Sequence, residues 1–400
     1  MTDHSEAKEH TKAKPENDAG FAVNEANLSE TEKALLNQIE RNTQEMMDGI
    51  FQIVSISSER SDPEEGAPYG TEVRKALDET LKLAEKMGFE TAVVDDAAGF
   101  VQYGAPIEED QDYIGVFGHL DVVPAEGDWS HDPYDPDIRD DRIYARGILD
   151  NKGPVLSCLY ALKALKDLDI KPVHPIRIVF GTNEETGMED MPIYQAKEKA
   201  PLAGFTPDCK YPVVYAERGR AVYEIHFDSM EDTISWVNAY FLANQSKEKA
   251  LGLDIEDPEF GKLDIRNTRM ETDRVTFSVS YPPCIEAEKI TRILQEKTKS
   301  GSVICTSDWK PVFFNKEGTL CKTLQSAYED LTELDGTPVP TTGGTYAKRV
   351  PGILPFGPSF PGQKGIAHLP DEWMNISDLK KNAEIYGLGL YRLGQQEEFE

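Results

Sequence analysis

Short, largely apolar runs alternate with helical stretches over much of this chain, and that alternation constrains its fold more than any other feature. Tyr113–Phe117 and His174–Gly181 read as strands buried on both faces. Gly153–Asp169, between them, reads as a helix. Upstream, Ser29 with Glu32 three residues on predicts a capped helix start, and Leu35, Leu36, Ile39, Met46, Ile50 and Ile53 keep helical spacing. A second helix is predicted from Glu72 to Met87, ending at Gly88. Helix–strand alternation of this kind builds layered α/β domains. The pattern changes after Gly219. Ala221–Asp228 and Arg274–Tyr281 alternate apolar and polar residues, and each is followed by a helical stretch, at 229–250 and 285–299. Two such units predict a small sandwich of helices on one sheet. From about Pro311 the α/β pattern resumes, with a helix near Leu320–Leu334. The expected organisation is one large domain, 28–218 with 313–400, interrupted by an inserted domain at 219–312. Residues 1–27 are polar and expected to be disordered.

The formal net charge is −30. A surface so acidic repels nucleic acid and anionic membranes, and neither is expected as a partner. It is compatible with cations. No apolar stretch approaches the ~20 residues of a membrane-spanning helix. Residues 1–20 lack a signal-peptide core. Five cysteines are scattered without C-x-x-C spacing, which reads as free thiols in a reducing, cytoplasmic setting.

The chemistry concentrates at the ends of apolar runs. His119 and Asp121 follow the strand at Tyr113–Phe117, and residues two apart in extended chain face the same side. An imidazole ligand with a carboxylate to orient it has this form. Alone, H-x-D is a weak signal. Asp150, the pair Glu184-Glu185, Asp208 and His368 each lie in or beside a loop that follows an apolar stretch. Loops beyond the carboxyl ends of strands are where open α/β sheets build sites. Two imidazoles with several carboxylates suit two divalent cations, Zn²⁺ with Mn²⁺ or Co²⁺ as substitutes. One carboxylate must stay off the metal to take a proton from water.

Seven blocks occur in order: GHLDVVPAEGDW, ARGILDNKGP, GTNEETG, FTPDCKYPVVYAERG, GGTYAK, FGPSFPGQ and AHLPDE. With them the chain resembles the M20 metallopeptidase family, closest to its PepV-like dipeptidase branch. The resemblance implies a zinc-exopeptidase-like catalytic domain, a mixed central sheet flanked by helices, carrying an inserted α+β lid. It implies two Zn²⁺ ions held by His119, Asp150, Glu185, Asp208 and His368, with Asp150 bridging. It further implies that Asp121 orients His119, that Glu184 is the general base, and that the Asp150–Asn151 peptide is cis. The loop Gly343-Gly344-Thr345 resembles the segment that holds the substrate backbone or carboxylate. The implied activity is hydrolysis of the amide bond in dipeptides or small N-acyl amino acids.

The chain departs from the family in the insert. No S-A-H segment follows the first lid strand, where the family carries a histidine, and His226 is the only histidine between Glu184 and His368. Ser280-Tyr281-Pro282 stands where the branch has Arg-Tyr-Pro. The lid is expected to be shortened. The alternative expectation is therefore a catalytically weak or inactive homologue that binds metal or peptide. The sequence leaves monomer or homodimer open.

Overall fold

The computed structural model describes residues 21–108, 110–363 and 366–399. In chain order its main elements are α1 (Glu30–Val54), α2 (Thr71–Lys86), β1 (Glu90–Val94), β2 (Ala98–Tyr103), β3 (Ile114–His119), α3 (Lys152–Asp167), β4 (Ile176–Gly181), α4 (Asp190–Gln195) and β5 (Ala203–Thr206). There follow β6 (Gly219–His226), α5 (Met230–Tyr240), α6 (Lys247–Leu251), β7 (Asp264–Met270), β8 (Arg274–Tyr281), α7 (Ala287–Lys297) and β9 (Ser302–Trp309). The chain closes with α8 (Thr319–Thr332), β10 (Ile353–Pro355) and α9 (Ile376–Gly394). They form two compact units. One runs to Val214 and includes Lys316–Pro338 and the chain from Thr345; the other is Tyr215–Asn315 with Val339–Gly344.

The first unit is a mixed α/β domain. Its central sheet has the order β1-β2-β4-β3-β5-β10. The β1–β2 and β2–β4 pairings are antiparallel; those among β4, β3, β5 and β10 are parallel. Every residue of β2, β3, β4 and β5 is buried. Such strands lack alternation because helices cover both faces of the sheet. Helix α3 is apolar almost all round and packs with α1, α9 and β3. The expected capping box at Ser29 and Glu32 is formed. Gly181 ends β4 because the Tyr346 hydroxyl occupies the space a Cβ would need.

Of the tail expected to be disordered, residues 1–20 lie outside the described residues, whereas 21–27 are ordered. The Phe21 ring lies 4.5 Å from that of Phe360. Glu25–Asn27 forms a 3₁₀ turn, and Asn24 N and Asn27 Nδ2 donate to the Asp330 backbone and side chain. One apolar anchor and two amides suffice to pin a segment whose composition reads as disordered.

The second unit has an antiparallel sheet, β7-β8-β6-β9, with register pairs such as Tyr223↔Phe277 and Tyr223↔Cys305. One face is apolar. Tyr223, Ile225, Phe277 and Val279 pack with Trp236, Leu251, Ile290 and Leu294 from α5, α6 and α7. Sequence reading gave this unit two strands; β7 and β9 complete it. β7 is mostly polar and exposed, and β9 alternates only between exposed and half-buried residues, so neither carries an apolar pattern. Val339–Gly344 falls in this unit as well; Arg218 N donates to Thr341 O. Among the described residues no helix is long and apolar enough to cross a membrane.

Candidate metal centre

Sheet register brings the predicted residues together within the first unit. Parallel neighbours β3 and β4 end level, His119 opposite Gly181, and β5 runs parallel on the other side of β3, Val116 opposite Phe205. His119 at the end of β3, Glu184 and Glu185 three and four residues beyond β4, and Asp208 two beyond β5 therefore emerge at one end of the sheet. Asp150 stands just before Asn151, the N-cap of α3, where a helix end favours negative charge. The Asp150–Asn151 peptide is cis.

Asp150 lies between the two imidazoles. Its Oδ1 is 3.1 Å from His119 Nε2 and its Oδ2 is 3.0 Å from His368 Nε2. Asp208 Oδ2 is 3.6 Å from His119 Nε2, and Glu185 Oε1 is 3.1 Å from His368 Nε2. Five side chains thus fall into two groups that share Asp150: His119 with Asp208, and His368 with Glu185. Donor atoms of His119, Glu184 and Asp208 also lie within 4.8 Å of one another, as do those of His119, Asp150 and Glu185.

The supports are local. His119 Nδ1 lies 2.9 Å from the Asp121 carbonyl and 3.4 Å from its carboxylate. Asp121 Oδ1 and Oδ2 accept the N–H groups of Glu184 and Glu185, each at 3.1 Å, so one carboxylate orients an imidazole and two further acids. Asn151 joins β3 to the loop after β5. Its Oδ1 accepts from His119 N and its Nδ2 donates to Pro207 O, at 3.3 and 2.7 Å.

The electrostatics show what this donor set lacks. Burial, followed by the charge of Asp150, pushes Asp208 up to about 7. Burial and then Asp208 hold Glu184 well above the carboxylate range, and burial raises Glu185 as well. His119 sits well above an ordinary imidazole: burial opposes its charge, but the carboxylates of Asp121, Asp150 and Asp208 outweigh it. Hydrogen bonds that His368 donates to the Asp150 and Glu185 carboxylates lift it to about 10. Three crowded carboxyls and two imidazoles, all pushed up around an Asp150 that favours its ionised form, mark a site short of positive charge, and divalent cations with O and N ligands fit it.

The substrate-loop residues are placed differently. Thr345 is buried in the first unit, where its hydroxyl accepts from Ala347 N and caps the turn Tyr346–Lys348. Gly343 and Gly344 belong to the second unit, and Gly343 N donates to Thr341 Oγ1 at 3.4 Å. Sequence reading missed the roles of Asn151, Arg146, Glu372 and Asp190. All but Asp190 sit inside a motif already singled out, but only the fold shows what each side chain reaches.

An α/β sheet with imidazoles and carboxylates gathered at its strand ends has the form that a metal-dependent hydrolase uses. Residues 115–391 match the sequence profile of peptidase family M20/M25/M40, and the chain belongs to that family. It is 27% identical over 434 aligned residues to Putative dipeptidase YtjP of Bacillus subtilis (strain 168), covering 82% of this chain and 92% of that protein. It is 36% identical over 182 residues to Putative dipeptidase SSP1012 of Staphylococcus saprophyticus, covering 45% of this chain and 38% of that protein. Among solved structures, the di-peptidase Dug1p of Saccharomyces cerevisiae superposes with a TM-score of 0.69 at 17% identity, covering 93% of this chain and 100% of that one. YXEP of Bacillus subtilis, a dinuclear metal-binding peptidase of the M20 family, gives 0.56 at 14%, covering 88% and 98%. At these identities the likeness is one of fold.

Proposed function

We propose that the protein is a dinuclear metallo-dipeptidase that hydrolyses the amide bond of dipeptides or small N-acyl amino acids. The observation that carries this reading is the place of Asp150, with one carboxylate oxygen toward each imidazole. His119, Asp150 and Asp208 would hold one cation, and His368, Asp150 and Glu185 the other. Zn²⁺ is the proposed ion, with Mn²⁺ or Co²⁺ as substitutes. The dinuclear M20 neighbour and the dipeptidase names of the relatives support it. Five scattered cysteines without C-x-x-C spacing support a cytoplasmic setting.

Bound divalent cations supply Lewis-acid polarisation of the scissile carbonyl and acidify water. Glu184 supplies the base. Its carboxylate takes a proton from water as the water oxygen bonds to the carbonyl carbon. It returns that proton to the amine nitrogen as the C–N bond breaks. Asp121 keeps Glu184 in place through its backbone N–H and holds His119 in one orientation. The branch assignment, PepV-like with a shortened lid, remains part of this proposal, as does a loop role for Gly343, Gly344 and Thr345.

The test is Glu184→Ala, assayed with a panel of Xaa-His dipeptides, Ala-containing dipeptides and N-acyl amino acids. The variant should still bind two metal equivalents while kcat falls by about 10²–10⁴. Parallel loss of metal and activity refutes the base assignment. Two equivalents bound by the unaltered protein, with no turnover of any substrate, selects the weak or inactive homologue instead.

A further inference from the structure

We propose that Glu372 is a positioning residue that fixes the Asp150 carboxylate against the His368 imidazole. The inference rests on the reading that these two residues hold cations.

Glu372 is fully buried. Its Oε1 accepts from Leu149 N at 2.9 Å and Asp150 N at 3.1 Å. Its Oε2 accepts from Arg146 Nη1 at 2.8 Å and Gly147 N at 3.2 Å. All of these partners are N–H donors, so only an ionised carboxylate, an acceptor at every position, satisfies them. Gly147, at φ +84°, adopts a left-handed conformation that glycine takes without cost, and its amide turns toward Glu372. The segment that ends in Asp150 is thus wrapped around a side chain far away in sequence.

Glu372 also stands four residues beyond His368, in the same loop. His368 and Asp371 both have left-handed backbones, at φ +65° and +55°. A non-glycine residue holds that conformation only where its surroundings enforce it. Several contacts do so. Arg146 Nη1 reaches Leu369 O at 3.4 Å, and Ser130 N and Oγ donate to Asp371 Oδ1 at 3.0 and 2.9 Å. Ala145 N donates to the Glu372 carbonyl at 3.1 Å. One buried carboxylate therefore sets the distance between two ligand-bearing segments. Removing either partner of a buried, hydrogen-bonded ion pair leaves the other uncompensated, and the loop it organised then loosens.

Glu372→Gln tests this with almost no change of shape. It replaces one oxygen with an NH₂ group that faces N–H donors. Zn²⁺ affinity, measured by chelator competition, should fall about 10–100-fold, as is usual when a partner of metal ligands is removed. The Co²⁺ d–d absorption spectrum should change in position and intensity, while the circular dichroism of the metal-free protein stays the same. Unaltered Zn²⁺ affinity and Co²⁺ spectrum, with only a lower melting temperature, overturn the proposal and make Glu372 merely structural. If Glu372→Gln does not fold, Arg146→Lys carries the test, since it keeps the cation but loses the guanidinium fork. A several-fold weaker Zn²⁺ affinity supports the proposal, and no change in affinity or spectrum overturns it. A wild-type protein that takes up neither ion refutes the metal reading itself. A wild type and a Glu372→Gln variant that bind equally refute only the inference.

Discussion

The two sheets of this protein handle burial in opposite ways. In the first unit β3 and β4 are buried along their whole length, so their faces are closed and only their ends are open to ligands. In the second unit β6 alternates between buried and more exposed residues, and its apolar face meets α5, α6 and α7. The polar chemistry of the first sheet gathers at the strand ends. The second is built as a one-sided sandwich whose stability lies in its apolar face.

The largest effect expected from this contrast is that of metal removal. Chelation should abolish hydrolysis, and Zn²⁺, Mn²⁺ or Co²⁺ should restore it. Hydrogen exchange should show β8 amides as protected as before, and lost protection there would break the contrast. Next is Phe277→Ala in the second unit. It should cost about 3–5 kcal/mol in denaturant unfolding and leave metal stoichiometry at two. A fall in metal content would show that the two sheets are not energetically separate.

A pH effect in the metal-free protein comes third. Burial, with the charge of Asp121 adding to it, pushes Asp190 up to about 6 despite hydrogen bonds from Tyr346, Thr182 and Asn183. Between about pH 4 and pH 6 the folded chain then holds a proton that the unfolded chain has released. Stability should therefore fall as pH rises through that window, by up to about 3 kcal/mol. Urea unfolding at pH 4.5 and 6.5 should show this drop in the wild type and a smaller one in Asp190→Asn. Equal slopes in the two proteins would remove Asp190 as the cause. Smallest is Ile304→Thr, on the exposed edge strand β9, where unfolding free energy should change by less than about 0.5 kcal/mol.

The same contrast explains what was legible in the sequence. Uninterrupted apolar runs such as Tyr113–Phe117 announce buried strands, and residues just beyond them announce a site. His119, Glu184 and Asp208 were legible in that way. The α/β class followed from the same runs, the mixed sheet came only with the family resemblance, and the parallel order β4-β3-β5 supplied the convergence. Strands β7 and β9 were not legible, because an edge strand facing water on most sides needs no apolar pattern. Phe21–Asn27 was misjudged for a related reason: its order comes from Phe360 and Asp330, more than 300 residues away. Glu372 and Arg146 were hidden by separation too, 226 residues apart in sequence and 2.8 Å apart in space.

The level ending of β3 and β4 has a consequence for which length changes the protein can tolerate. A strand advances about 3.3 Å per residue, so a one-residue slip within β3, β4 or β5 would carry a donor atom about one full ligand spacing away. A single inserted or deleted residue inside these strands should therefore be fatal to the site. Insertions on the far side of the sheet, in the turns that lead into the strands, leave the level ends as they are. The length of this protein is free to drift at one end of its sheet and held to the residue at the other.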